Sequence, residues 1–295
     1  MRVHHLNCIS ACPLGGRLTD PRSHDVGGKL ACHCVLVETD RGLVLFDTGY
    51  GVSDVRDPAN RLSWFFLRLL DPDFREELTA VRQIEALGYS ATDVRHIVLT
   101  QLDFDHAGGL DDFPEATVHL LRSEVEDAVR QRTWLDRQRY RPRQWRSYQR
   151  WITYDRMAGQ RWYGFHCVRD LEGVPPEIVL VPLPGHTLGH AGIAVREPHG
   201  WILLAGDAYF DHQELDICRP RCAPALRFYQ WMTEKDRKAR LVNQERLREL
   251  VHDHAGDVHV ICSHDPRELE HDTRHPLDMP IAQRRADDAA ATMRR

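Results

Sequence analysis

Histidine and aspartate side chains, which can bind metal ions, occur where short apolar segments of this sequence end. The segment His96–Leu99 leads into Gln101-Leu102-Asp103-Phe104-Asp105-His106, and three later segments lead into His186, Asp207 and His264. Imidazole and carboxylate groups suit Zn²⁺, Fe²⁺ or Mn²⁺ as ligands. A single aspartate after a strand is usually a turn or helix cap, but a set of these groups at four segment ends predicts a metal centre.

The apolar segments that would position these groups are predicted to be buried strands. They are short, and Val, Ile and Leu dominate them. The predicted strands are Leu43–Phe46, His96–Leu99, Thr117–Leu121, Ile178–Leu183, Trp201–Ala205 and Val258–Cys262. Helical periodicity predicts helices at Phe74–Leu87 and at about Asp236–His254, with Gly88 and Gly256 available to end them. Strands and helices that alternate in this way predict a layered α/β architecture.

The domain organisation predicted from the sequence is one domain over residues 1–280 with an insertion. A segment at about 122–162 is dense in arginine and aromatic residues, and Trp145, Tyr148 and Trp151 within it have helical spacing. We expect a helical insertion that is either a lid over a pocket or a helix that packs its aromatic side on the body. Residues 281–295 are polar and alanine-rich, and we expect a flexible tail there.

Composition narrows the partners that we expect. The formal net charge of -5 and the pI near 6.4 argue against a general polyanion binder, so we expect a small-molecule substrate and no nucleic acid. No apolar stretch approaches the roughly 20 residues that cross a bilayer, and the first residues lack an apolar signal segment, so we expect a cytoplasmic protein without a membrane partner. The eight cysteines lack paired CxxC units and are expected to be reduced thiols. The sequence does not determine the oligomeric state, and a homodimer is one possibility.

Four motifs, in order and at sensible spacing, together resemble the metallo-β-lactamase superfamily from about Val35 to Asp265. Phe46-Asp47-Thr48-Gly49 resembles the early Asp-Thr-Gly turn of that family, and Asp103 to Gly109 resembles its HxHxDH segment with the trailing Gly-Gly. Pro184-Gly185-His186-Thr187-Leu188-Gly189-His190 resembles the PGHTPGH segment, and Leu204-Ala205-Gly206-Asp207 resembles the strand that carries a bridging aspartate. The resemblance implies an α/β fold of the αββα sandwich type with a metal centre at one edge.

The resemblance also implies a set of ligands for each of two ions. By position, the second site keeps all its protein ligands, which are Asp105, His106, Asp207 and His264. The first site is left with Asp103, His186 and the shared Asp207. The resemblance therefore implies one or two divalent ions per chain, with zinc as the first expectation and iron or manganese as alternatives.

The sequence departs from the family pattern where QxDxDH replaces HxHxDH. An amide oxygen is a weak zinc ligand, and a carboxylate in place of an imidazole shifts the preference of a site toward ions that favour oxygen ligands. Some di-iron members of the family have an acid at the position of Asp103, so it is predicted to be a ligand, whereas Gln101 is predicted to contact a ligand or a substrate. A two-metal enzyme with altered metal preference, a one-metal enzyme and a binding protein without turnover all remain open.

Within the family, the sequence is most similar in look to the N-acyl homoserine lactonases. Gly206-Asp207-Ala208-Tyr209 resembles their aspartate followed by a tyrosine, although here the tyrosine comes one place early. This implies hydrolysis of an ester or lactone by metal-activated water, with Asp105 and Tyr209 as catalytic residues. Asp105 would orient the water and relay the proton, and Tyr209 would contact the carbonyl oxygen, while Asp47 and His190 support the ligands.

Two other functions remain as alternatives. The segment from Arg122 to Arg161, rich in arginine and aromatic residues, is compatible with a phosphodiesterase or nuclease of the same fold. A non-catalytic metal-binding sensor would hold the ion without turnover.

Overall fold

The fold consists of two β-sheets packed face to face, with helices on their outer surfaces. The computed structural model describes residues 1–24, 26–146, 150–156, 160–168 and 170–293. The strands are β1 (Arg2–Asn7), β2 (His33–Thr39), β3 (Gly42–Phe46), β4 (Val94–Val98), β5 (Thr117–Leu121), β6 (Trp151–Tyr154), β7 (Gln160–Trp162), β8 (Phe165–Cys167), β9 (Ile178–Pro182), β10 (Ala191–Glu197), β11 (Gly200–Leu204) and β12 (Val258–Ile261). The helices are α1 (Val52–Arg56), α2 (Pro58–Arg61), α3 (Trp64–Leu70), α4 (Ala80–Ala86), α5 (Arg122–Arg130), α6 (Trp134–Arg139), α7 (Pro142–Trp145), α8 (Pro224–Thr233), α9 (Arg237–Asp253), α10 (Pro266–Thr273) and α11 (Ile281–Met293). One sheet has the order β1-β2-β3-β4-β5-β6, the second has the order β12-β11-β10-β9, and β7 and β8 form a hairpin.

The central strands place alternate side chains in two apolar layers. In β3, Val44 and Phe46 pack in the layer between the sheets, and the residues between them face the outer layer. In β9, Ile178 and Leu180 share the inner layer, whereas Val179 contributes to the outer layer of its sheet. Because both faces of these strands are covered, their sequences are continuous apolar runs. This arrangement confirms the predicted αββα sandwich.

Helices cover the outer layer of each sheet. Ile84 of α4 packs on the six-stranded sheet, and Leu247 and Leu250 of α9 pack on the four-stranded sheet. The side chain of Asp236 caps α9 by accepting a hydrogen bond from the backbone of the first turn. The helix predicted over Phe74–Leu87 is in fact a 3₁₀ turn followed by α4, because the backbone is extended at Thr79.

The strand directions bring the loops with chemistry to one edge of the sandwich. Strands β3, β4 and β5 are parallel to one another, and β11 is parallel to β12. Strand β10 is antiparallel to both β9 and β11, so β9 runs in the same direction as β11. The loops after β3 and β4 therefore meet the loops after β9, β11 and β12.

The segment at 122–162 differs from the helical insertion that the sequence predicts. Helices α5, α6 and α7 form its first part, but β6 then joins the edge of the six-stranded sheet in parallel with β5. Trp151 belongs to this strand, and Tyr148 lies outside the described residues. The predicted helix beyond Trp145 is therefore wrong, since strand pairing overrides the helical spacing of the aromatic residues.

The prediction of a flexible tail at 281–295 is also wrong for its first residues. Ile281 and Arg284 of α11 are buried, and Ile281 joins the outer layer of the six-stranded sheet. The Arg284 guanidinium donates to the carbonyl oxygens of Met279 and His5, so these N–H groups have acceptors at the surface of the core. Among the described residues, no helix is both long and apolar enough to span a bilayer.

Candidate metal centre

The six side chains predicted as metal ligands come together at this edge in two neighbouring groups. In each group, one ligand atom from every residue lies within 4.8 Å of the others. The first group is Asp105, His106 and His264, and the second group is Asp103, His186 and Asp207. Asp207 also contacts the first group, because its Oδ1 lies 3.1 Å from Nε2 of His264.

The distances within the first group suit a single ion. Asp207 Oδ1 lies 3.5 Å from Nε2 of His106, and the Asp105 carboxylate lies 3.9 Å from the same nitrogen. The other Asp105 oxygen lies 3.8 Å from Nε2 of His264. Ligands at about 2.0–2.2 Å from a tetrahedral zinc ion are roughly 3.3–3.5 Å apart. The separation of Asp207 from His106 is in this range, and Asp105 lies slightly farther from both imidazoles.

Hydrogen bonds behind the first group orient both imidazoles toward its centre. His106 donates from Nδ1 to Oδ2 of Asp47 at 2.7 Å, and Asp47 also accepts from the backbone and hydroxyl of Thr100. His264 donates from Nδ1 to the carbonyl oxygen of Ala31 at 2.8 Å. Both histidines therefore direct Nε2 to the centre, an arrangement typical of metal-ligating histidine.

Two buried atoms that face each other across the first group, His106 Nε2 and Asp207 Oδ1, make no hydrogen bond of good geometry, although Oδ1 lies 3.1 Å from Nε2 of His264. A buried polar atom without a partner is costly, and a cation between the two would satisfy both. The residues of the first group therefore fit a metal ion.

The pKa values of Asp207 and His264 also indicate that the first group favours a positive charge. Burial favours the neutral acid, yet His264, His106 and His186 hold the pKa of Asp207 well below its usual range. Burial likewise favours neutral imidazole, but Asp207 outweighs it and raises the pKa of His264 to about 9. The carboxylates thus favour positive charge at this point, and a bound cation would supply it in place of protons.

The second group has a different character because an arginine lies inside it. The guanidinium of Arg139, the last residue of α6, contacts Asp103 through Nε at 2.7 Å and through Nη2 at 2.5 Å. Nη2 also donates to Nε2 of His186 at 2.6 Å. The amide of Gln101 donates to Oδ2 of Asp207 at 2.8 Å. As these side chains stand, the second group does not fit a metal ion, and Asp103 contacts a guanidinium in the place of the predicted ion.

Comparison with known proteins identifies the family. The model of the metallo-β-lactamase superfamily matches residues 27–246. The chain belongs to the metallo-β-lactamase superfamily. It is a hydrolase, and its membership of this superfamily implies that it binds a divalent metal.

Among the relatives of this superfamily member, a probable metallo-hydrolase of Mycobacterium tuberculosis is 41% identical over 266 residues, which cover 90% of this chain and 81% of that protein. An N-acyl homoserine lactonase of Bacillus thuringiensis is 28% identical over 189 residues, which cover 64% of this chain and 68% of that protein. Two solved structures share the fold. An N-acyl homoserine lactone hydrolase, with N-hexanoyl-L-homoserine bound at its catalytic metal centre, has a TM-score of 0.67 at 22% identity and covers 91% of this chain and 95% of its own. A dizinc quorum-quenching lactonase has a TM-score of 0.58 at 16% identity and covers 89% and 86%.

The structure of this metallo-β-lactamase member contradicts the catalytic role predicted for Tyr209. The Tyr209 side chain is fully buried in the layer under α9, and its hydroxyl donates to Oε1 of Glu268 at 2.8 Å. A hydroxyl that is engaged in this layer cannot contact a substrate carbonyl. The one-place shift of the tyrosine relative to the lactonase motif accompanies this inward orientation.

A second tyrosine, which the sequence did not single out, lies one aromatic ring away from the first group. The ring of Tyr229 on α8 packs against Phe210, which stacks on His264 at 5.1 Å between ring centroids. Burial and the carboxylates of Asp105, Asp207 and Asp103 raise the pKa of the Tyr229 hydroxyl well above its ordinary value. The hydroxyl therefore stays protonated and can donate a hydrogen bond. No motif marks Tyr229, and only the amphipathic pattern of α8 could have placed it near the core.

Proposed function

We propose that this hydrolase cleaves an ester or lactone bond in a small molecule, using a divalent ion held by Asp105, His106, Asp207 and His264. The observation that carries the proposal is the pair of buried atoms without a hydrogen bond of good geometry, His106 Nε2 and Asp207 Oδ1, which face each other at 3.5 Å. Zinc is the first candidate, because two imidazoles and two carboxylates form a ligand set that suits it. The similarity to named N-acyl homoserine lactonases supports the substrate class.

The chemistry needs an activated water, a route for one proton and stabilisation of an oxyanion. When bound, a divalent ion supplies a Lewis acid and lowers the pKa of bound water from 15.7 to about 7. The Asp105 carboxylate, which is the most loosely placed of the four ligands, can accept the proton of the attacking water. Water then adds to the carbonyl carbon, the carbon–oxygen bond of the ester breaks, and Asp105 returns the proton to the leaving alkoxide.

Tyr229 is the proposed hydrogen-bond donor to the carbonyl oxygen. Its hydroxyl is protonated at neutral pH because burial and the nearby carboxylates raise its pKa, and its ring packs against Phe210. A fixed donor that faces the developing oxyanion lowers the barrier of acyl transfer. Tyr229 therefore takes the role that the sequence pattern suggested for Tyr209.

The arginine-rich segment supports the phosphodiesterase alternative less than its composition suggests. Arg139 is buried against Asp103, and Arg141 donates to the carbonyl oxygens of Arg61 and Leu62. Both side chains thus bind parts of this chain. We keep a phosphodiester in the substrate panel but propose no nucleic-acid function.

A panel of substrates tests the proposal. The purified protein, loaded with Zn²⁺ or Mn²⁺, is assayed on N-acyl homoserine lactones, aryl esters, a thioester and an aryl phosphodiester. We expect turnover of lactones or esters that chelation abolishes and that His264→Ala lowers at least 100-fold. Turnover of the phosphodiester alone, or of no substrate with any ion, would contradict the proposal.

A further inference from the structure

We propose that the guanidinium of Arg139 takes the place of one metal ion, so that the centre binds a single divalent ion. The inference rests on the proposed function, since the remaining ion is the one held by Asp105, His106, Asp207 and His264. It explains the second group, where Asp103 and His186 stand at the positions of ligands but contact the arginine.

The position of one guanidinium nitrogen excludes an ion. Asp103 Oδ2 and His186 Nε2 lie 3.1 Å apart, a separation that two ligands of one ion could have. Arg139 Nη2 lies 2.5 Å from the first atom and 2.6 Å from the second. Nε2 of His186 has a single lone pair, and this lone pair accepts the N–H of Arg139 Nη2. An ion about 2.0–2.2 Å from both ligands on that side would overlap this nitrogen. The ion and the guanidinium therefore cannot occupy the group together.

The guanidinium is held in place from every side. Its Nη1 donates to the carbonyl oxygen of Thr233 at 2.6 Å, while Nε and Nη2 bind both oxygens of Asp103. The paired geometry is the strong, bidentate form of an arginine–carboxylate contact. As a whole residue Arg139 is 1% exposed, so its charge is shielded from solvent and depends on Asp103 for compensation.

The helix that carries Arg139 is itself anchored. The side chain of Thr133 caps the first turn of α6, and Lys235 donates to Oδ1 of Asp136 at 2.8 Å and to Oδ2 of Asp127 at 2.6 Å. These contacts fix α6 against α5 and the chain that precedes α9. The arginine is therefore part of the fold and not a surface side chain that enters an empty site.

The third carboxylate of the centre is divided between the two groups. Asp207 presents Oδ1 to the imidazoles of the first group, whereas its Oδ2 accepts a hydrogen bond from the Gln101 amide. A histidine at position 101 would offer a lone pair there, but the glutamine offers an N–H. Gln101 and Arg139 thus act together, because each directs N–H donors at oxygens that a second ion would need.

The formal charges agree with one ion. The centre contains three aspartates, Asp103, Asp105 and Asp207, which carry three negative charges when ionised. One divalent ion and one guanidinium balance these three charges, while the Asp47 carboxylate lies behind the ligands and accepts from His106. A second divalent ion beside the guanidinium would leave an excess of positive charge in a buried site, which is unfavourable.

Metal stoichiometry tests the inference. The 295-residue chain is stripped of metal, reloaded with Zn²⁺ and dialysed, and its zinc content is measured by elemental mass spectrometry. Titration with Co²⁺, followed by visible absorption, gives an independent count of bound ions. We expect one ion per chain for the unaltered protein and for Arg141→Met, which removes a nearby arginine outside the centre. We expect the double variant Gln101→His with Arg139→Met to bind a second ion and Arg139→Lys to remain at one.

The outcomes separate this inference from the proposed function. Two tightly bound ions in the unaltered protein would overturn the inference and leave the proposed function intact, whereas no bound ion would overturn both. A folded double variant that stays at one ion would contradict the claim that these residues exclude the second. Should the double variant not fold, the count for the unaltered protein still decides.

Discussion

Arg139 and Asp103 form a buried ion pair in which two guanidinium nitrogens contact the two carboxylate oxygens at 2.7 and 2.5 Å. The side chains are 2% and 7% exposed, so water screens the pair little. An ion pair of this kind is far more sensitive to loss of one partner than to replacement of both. The pair therefore affects both the stability of the folded chain and the number of ions that we propose its metal centre binds.

Removal of one partner should destabilise the protein strongly. We expect Asp103→Asn or Arg139→Met to lower the free energy of unfolding by about 3–5 kcal/mol, because the other charge remains buried and unpaired. The double variant Asp103→Leu with Arg139→Met should cost less than the sum of the two single changes. Urea denaturation of the metal-free proteins measures these differences.

An exposed ion pair provides the control for this prediction. Arg130 and Glu126 on α5 are each about half exposed and lie 3.4 Å apart. Arg130→Ala should change stability by less than about 1 kcal/mol. If Asp103→Asn costs no more than this control, the buried pair does not contribute as described.

Strands β3, β4, β5, β9, β11 and β12 could be predicted from the sequence, and so could the meeting of the candidate ligands at one edge, but the arginine could not. Continuous apolar runs such as Thr117–Leu121 identify buried strands, and ligands that follow such runs share an edge. Arg139 is one of many arginines in its segment, and nothing in their spacing distinguishes it. Only the packing of α6 shows which arginine reaches Asp103.

Strand β1 and helix α8 could not be predicted either, because their local sequence patterns are weak. Strand β1 contains two adjacent histidines and no apolar alternation, and it is defined by pairing with β2. Helix α8, which carries Tyr229, has no terminal motif apart from a proline in its first turn. Tertiary contacts decide such elements, because their local patterns are too weak.

The two tyrosines should separate catalysis from stability. Tyr229→Phe is expected to lower kcat about 10- to 100-fold on the best ester or lactone, with little change in Tm, because it removes one donor to the oxyanion. Tyr209→Phe should leave kcat nearly unchanged and cost about 1–3 kcal/mol of stability, since Glu268 loses its buried partner. Steady-state kinetics and thermal unfolding of both variants measure this. The opposite pattern would restore the role first predicted for Tyr209.

Metal removal should lower the thermal stability of the protein. An ion that binds only the folded chain stabilises it, so chelation should lower the Tm by several degrees. His264→Ala should abolish this dependence, because it removes an imidazole from the first group. His252→Ala, which alters a histidine 60% exposed at the side chain, is the control and should respond to chelation like the unaltered protein. An equal response of His264→Ala and His252→Ala would argue against the first group as the metal site.

Glu124 should make stability fall as the pH rises. Burial raises the pKa of this carboxyl to about 7, and its oxygens accept from the backbone of Leu102 and the hydroxyl of Thr187. Between about pH 4.5 and 7 the folded chain keeps a proton that the unfolded chain has lost. The folded state is therefore favoured at the lower pH, by up to about 3 kcal/mol across this window.

Glu124→Gln should flatten this dependence. The variant keeps an oxygen acceptor but has no titrating proton, so its stability should fall less between pH 5 and pH 8. Glu126→Gln, on the same helix and exposed, should retain the slope of the unaltered protein. Denaturation at several pH values provides the measurement, and identical slopes for Glu124→Gln and Glu126→Gln would refute the assignment.

Anomalous diffraction from crystals of the 295-residue chain grown with Zn²⁺ locates the ions directly. We expect one strong anomalous peak per chain, from an ion bound by Nε2 of His106 and His264 and by oxygens of Asp105 and Asp207, with Arg139 still paired to Asp103. A second peak between Asp103 and His186 with the guanidinium displaced, or no peak at the first group, would contradict this expectation.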